Sequence, residues 1–200
     1  MVRLIKVIGL DLAGSEKNPT GYCHIEFSEV VAFGELYSDA SIKRYISKIE
    51  PDIVAIDAPL NFPSHGNLRD CDLLMKQIGL NPFPPTMPGM RVLVERAMRL
   101  VNWLEENGFS YIEVFPAGAI HFLGLKRKPR SIGERIKMAR ELVRLIGLSM
   151  KFRISKMSPD EFDAVICAIT GYAYLTGNYI EIKGRECTVI FPAEPSAWKV

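Results

Sequence analysis

The sequence predicts an α/β fold: a mixed sheet, with a three-strand antiparallel meander followed by parallel strands and helices on both faces. Three observations predict it. The first 38 residues alternate short apolar runs with turn signals and carry no helical period. From residue 39 onward, helical patterns alternate with short buried runs. The run Ile53 to Ile56 is apolar without a break, as expected of a strand covered on both sides.

The meander is expected at about Leu4 to Leu12, Gly21 to Phe27 and Val30 to Tyr37, with "GSEKNP" and a tight turn near Ser28 between the strands. "DASIKRYISKIEP" gives a helix capped by Asp39 or Ser41. Its apolar face is Ile42, Tyr45, Ile46 and Ile49, and it ends ahead of Pro51. The strand Ile53 to Ile56 follows by a right-handed crossover and so lies parallel to an earlier strand.

A Pro-rich insert or lid is expected at about 58–90. It holds a short helix near Leu68 to Ile78 and the stretch "NPFPPTMPGM". Next come a helix from Arg91 to Glu106, the strand "SYIEVF", a helix from Ala117 to Leu123 and "SIGERIKMARELVRLIG". In that last segment Ser131 and Glu134 have capping-box spacing, and Ile132, Ile136, Ala139, Val143 and Ile146 form an apolar stripe. Lys137, Arg140 and Arg144 project from its other side. The helix "SPDEFDAVICAITGYAYLTG" precedes two short strands, "YIEI" and "CTVIF", that read as a sheet edge.

With 48% hydrophobic residues and 24% charge, 200 residues suffice for one core, and a single domain over 1–200 is expected. No apolar stretch reaches the roughly 20 residues of a membrane span. The N-terminal segment reads as a strand rather than a leader, so a cytoplasmic protein is expected. Cys23, Cys71, Cys167 and Cys187 lie far apart, with no C-x-x-C pair, and are expected as reduced thiols. The net charge is only +2, but Lys126 to Lys156 carries eleven Lys or Arg against two acids, a balance of +9. Basic charge is therefore local.

The acids carry the functional signal. "IKVIGLDLAG" and "VAIDAPLNFP" each end an apolar run in one carboxylate, Asp11 and Asp57. Ligands and chemistry collect beyond the carboxyl ends of parallel strands. On neighbouring strands the two acids would face each other across roughly 5 Å, where a divalent cation is the usual partner. One Asp after a strand can equally cap the next turn; the repetition favours the site.

In the late helix, Ser158 is a natural N-cap, Pro159 takes the first position and Glu161 completes a capping box. Asp160 suits the positive helix end on any reading. Asp163 lies past the first turn among Phe162, Ala164, Val165 and Ile166, where a carboxylate needs a partner. Glu113 in "YIEVFP" is a further candidate from a third strand, or a surface residue alternating with apolar neighbours. His24, His65 and His121 have no ligand spacing, and no nucleophile elbow, Walker A loop or G-x-G-x-x-G fingerprint is present.

These residues resemble the RNase H-like nucleases, especially the RuvC-type resolvases, in having an Asp at the end of the first strand, an acid after the first helix and D-x-x-D-A opening a late helix. More closely, "GLDLAG", "AIDAPLNFP", "RDCD", "IEVFPAGAI" and "DEFDAVICAITGY" are similar to the family called domain of unknown function 429, described as predicted nucleases of that fold. The resemblance covers nearly the whole chain. It implies that Asp11, Asp57 and Asp163 are metal ligands, with Asp160 and Glu113 as secondary members, in phosphodiester hydrolysis with Mg²⁺ or Mn²⁺.

Nucleic acid, DNA or RNA, is then the expected partner. Lys126, Arg127, Lys128 and Arg130 are candidates for the phosphate backbone, or simply a solvated face. Arg69, with Asp70 and Asp72, is expected to close over the site from the insert. Two departures stand out: Asp57 replaces the Glu common in RuvC-type enzymes, and basic residues do not interleave with aromatic ones. Two other readings remain. One is a nucleotide-binding phosphotransferase like the sugar kinases and actin-like ATPases, whose first phosphate loop "DLAGSEKNPTG" resembles. The other is a binding module holding a structural cation. A homo-oligomer is left open.

Overall fold

The computed structural model describes residues 5–125 and 128–194. Predicted positions Leu4, Lys126 and Arg127 lie outside the described residues. Strands β1 (Lys6–Asp11), β2 (Thr20–Glu26) and β3 (Glu29–Leu36) form the expected antiparallel meander. β4 (Ile53–Asp57) pairs parallel with β1, β5 (Tyr111–Val114) with β4, and β7 (Thr188–Pro192) with β5. β6 (Tyr179–Lys183) lies antiparallel to β7, so the order is β3-β2-β1-β4-β5-β7-β6. The two last strands do not both sit at the edge. β7 is interior and buried along "VIFP", and β6 alone takes the edge.

Six helices accompany the sheet among the described residues: α1 (Asp39–Ile49), α2 (Asp70–Gln77), α3 (Pro88–Glu106), α4 (Pro116–Phe122), α5 (Ile132–Leu145) and α6 (Pro159–Leu175). The N-cap of α1 is Ser38, one residue ahead of the predicted Asp39 and three ahead of Ser41, and its hydroxyl accepts from the Ser41 N–H at 3.1 Å. α3 begins at Pro88, a turn earlier than predicted, because proline fixes a helical φ and lacks the N–H that a first turn leaves unused. At α5 the Ser131 hydroxyl caps Glu134 N–H, but Glu134 Oε2 accepts from Arg130 N–H at 2.7 Å. The expected reciprocal bond is thus displaced by one residue.

Alternation along each strand explains the unbroken apolar runs. Val7, Ala55 and Val114 join one core with Ala164, Val165 and Ala168 of α6. Their neighbours Ile8, Leu10, Val54 and Ile56 join the other, with Ile42 and Ile46 of α1 and Ala97, Leu100 and Leu104 of α3. Two glycines set how α6 lies. A Cβ at Gly9 would collide with the backbone of Ala164 and Ala168, and one at Gly21 with the Asp160 carbonyl. The helix backbone therefore rests directly on β1 and β2, and its N-terminal turns reach the end of β1.

The four cysteines are not all thiols. Cys71 in α2 and Cys187, just ahead of β7, form a disulfide with Cα atoms 5.8 Å apart, while Cys23 and Cys167 are free and buried. The expectation of reduced thiols fails for the first pair because the fold brings together residues 116 positions apart. Among the described residues, no helix is long and apolar enough to cross a membrane.

Candidate metal centre

Asp11 ends β1 and Asp57 ends β4, and the parallel register places them directly side by side. Asp163 comes from α6, one turn past the Ser158 cap, and is carried to the same point by the seat at Gly9 and Gly21. One oxygen from each of the three carboxylates lies within 4.8 Å of the others. The cap is separate. Ser158 N–H donates to Glu161 Oε2 at 2.6 Å and Glu161 N–H to the Ser158 hydroxyl at 3.1 Å, which closes the box and occupies Glu161 with the helix end.

The cluster is costly as it stands. Burial and then the charges of Asp163 and Asp160 push the Asp11 carboxyl up to about 7, and burial with Asp11 and Asp163 holds Asp57 well above the usual carboxylate range. Asp163 Oδ2 accepts from the Lys128 ammonium at 2.5 Å, whereas Asp163 Oδ1 is buried with no hydrogen-bond partner among the described residues. Burial opposes the charge on Lys128, but Asp163, Asp57 and Asp11 outweigh it, and its pKa is raised. Three hard oxygen donors, one of them orphaned, fit a divalent cation.

The other candidates lie around this centre. Asp160 is half-buried beside Asp11 in a shallow depression that Asn18 and Pro19 also line. Glu113 aligns with Ile56, one register position short of Asp57, so alternation sends it to the opposite face of the sheet. There Arg69 grips it with bonds of 2.6 and 2.7 Å, and Leu60 N–H adds a third at 3.0 Å. Arg69 is 1% exposed and also donates to Asp72 and Asn61. It anchors the insert to β5 from inside, and Arg69, Asp72 and Glu113 line the same cavity as Asp11 and Asp57. Asp70 is turned to the other side and accepts from the N–H groups of Arg185, Glu186 and Cys71. Arg130 is exposed, and Lys137, Arg140 and Arg144 form the solvent face of α5.

The family model for proteins of unknown function DUF429 matches residues 9–188, from within β1 to the start of β7. The chain belongs to the DUF429 family. No curated protein matches it. Among solved structures it is similar to T. thermophilus RuvC in complex with a Holliday junction substrate, with a TM-score of 0.54 and 12% identity over 86% of this chain and 94% of that one. A structure of Thermus thermophilus RuvC alone gives 0.49 and 12% over 86% and 97%. The first likeness shows the fold of this DUF429 protein, an RNase H-like mixed sheet.

Sequence reasoning missed one support of the centre. Arg96 of α3 is 1% exposed and donates to the Ala13 carbonyl at 2.6 Å, the Tyr37 carbonyl at 2.9 Å and Asp39 at 2.7 Å. It fixes the loop that leaves Asp11. A signal existed: Arg96 stands three residues after Leu93 and four before Leu100, on the apolar stripe where a charge is out of place.

Proposed function

We propose that this DUF429 protein is a metal-dependent nuclease that hydrolyses phosphodiester bonds. The observation that carries the reading is the triple meeting of Asp11, Asp57 and Asp163 with one carboxylate oxygen left unpartnered. These three side chains would hold Mg²⁺ or Mn²⁺; when bound, the ions supply water activation and charge neutralisation at the leaving oxygen. Asp160, beside Asp11, orders the approach to them, and Glu113 contributes through the Arg69 clasp that fixes the end of β5. The Lys128 ammonium stands at the carboxylates and is positioned to hold a phosphate oxygen, with the exposed Arg130 extending the basic track. The likeness to a resolvase solved with junction DNA supports a nucleic-acid partner.

The test is cleavage of DNA and RNA substrates with Mn²⁺, Mg²⁺ or chelator, in the native chain and in Asp11→Asn and Asp57→Asn. Cleavage that needs the metal and is lost in both variants is expected. Cleavage that survives chelation, or either variant, would overturn the reading.

A further inference from the structure

Beside the carboxylates the fold keeps an apolar hollow that metal chemistry does not require. The cavity has a volume of about 270 Å³; Asp11, Asp57 and Lys128 form part of its lining, and the mutually paired Arg69, Asp72 and Glu113 form another part. Much of the rest is Met75, Pro82, Phe83, Met90, Leu93 and Phe115, drawn from α2, the Pro-rich stretch, α3 and the end of β5. Phe83 is 65% exposed although it lines the hollow. A phenyl ring held open to solvent in a proline-rich segment is a ready stacking surface.

One occupant must therefore satisfy two chemistries within a single small space. Its head is anionic and meets a cation held by the three carboxylates and the Lys128 ammonium. Its body is flat and apolar and lies on Phe83 and its neighbours. In a nucleic-acid phosphodiester, the group joined to the phosphate through one sugar is a nucleobase. The volume, about 270 Å³, lies just below the roughly 300–1,000 Å³ typical of small-molecule pockets, which suits one base and excludes a base pair. A base paired and stacked within a duplex cannot enter it.

We infer that this cavity is a base pocket, and that the nuclease reading on which it rests narrows to phosphodiesters next to an unpaired or extruded nucleotide. The Pro-rich insert then supplies the pocket wall.

The experiment titrates the Mn²⁺-loaded protein with deoxyadenosine 5′-monophosphate and with deoxyribose 5-phosphate, which has the same head and no base. The nucleotide should bind at least about tenfold more tightly. Two variants at exposed positions report on the wall. Phe83→Ala should remove most of that preference, and Ala117→Trp, which places an indole in the cavity from α4, should bring the nucleotide down to the affinity of the sugar phosphate. Equal affinities in the native protein, or a preference untouched by both variants, would overturn the pocket alone. Failure of Mn²⁺ itself to bind, read by calorimetry on the same samples, would overturn the nuclease reading and the pocket with it.

Discussion

Lys128 donates to Asp163 Oδ2 at 2.5 Å while Oδ1 of the same carboxylate is buried and unpartnered. The ammonium thus supplies, from the segment ahead of α5, part of the positive charge that the three acids need. A divalent ion arriving at the same oxygens competes with it. Lys128→Met should lower the melting temperature of the metal-free protein and tighten Mn²⁺ binding roughly fivefold, both measurable by calorimetry. Weaker Mn²⁺ binding in the variant would mean that the ammonium assists the ion rather than competing with it.

The acids also set a pH dependence. Asp11 titrates at about 7 in the fold, against an ordinary value of 3.8, chiefly through burial and then through Asp163 and Asp160. A carboxyl raised in this way holds its proton more tightly when folded. Its stabilising contribution is full below pH 3.8 and is lost as pH rises through about 7. Metal-free protein should therefore lose melting temperature between about pH 4 and 7 relative to Asp11→Asn, and saturating Mn²⁺ should reverse the difference. Parallel pH profiles for the two proteins would remove the basis for a charged cluster.

Glu161 and Asp163 sit two residues apart and should respond in opposite ways. Glu161→Ala opens the capping box and should cost about 1 kcal/mol of stability while leaving Mn²⁺ binding intact. Asp163→Asn keeps the shape and removes the charge, so the metal-free fold should hold or gain stability and the Mn²⁺-induced rise in melting temperature should vanish. If that rise persists, Asp163 is a buried structural acid.

Arg69 joins two buried carboxylates, Asp72 and Glu113, and is itself 1% exposed. Arg69→Met would leave both acids without their guanidinium, at a cost of about 3–5 kcal/mol in urea unfolding. A side chain gripping substrate would instead leave stability unchanged and weaken nucleic-acid binding.

What was legible in the sequence follows from what is local. Asp11 and Asp57 showed themselves because each breaks an apolar run at its end, and Asp163 because it lies among buried neighbours where its helix had no need of an acid. The Ser158–Glu161 box was readable because both partners lie within one turn. The clasp of Arg69 on Glu113 was not readable, because the two are 44 residues apart and meet only once α2 docks against β5. Lys128 could not be separated from Arg130, since a run of like charges does not say which member reaches the acids. Cys71 and Cys187 meet only after every element between them has packed, and no spacing records that.

The Cys71–Cys187 bond has a topological consequence. It closes the chain from α2 to the start of β7 into a covalent ring, which carries Lys128 and Asp163 and leaves Asp11 and Asp57 on the open strand outside it. The three carboxylates therefore meet across the boundary between ring and tail. A peptide bond cut anywhere inside the ring leaves one molecule, with Asp163 still tethered to the strands that bear its partners.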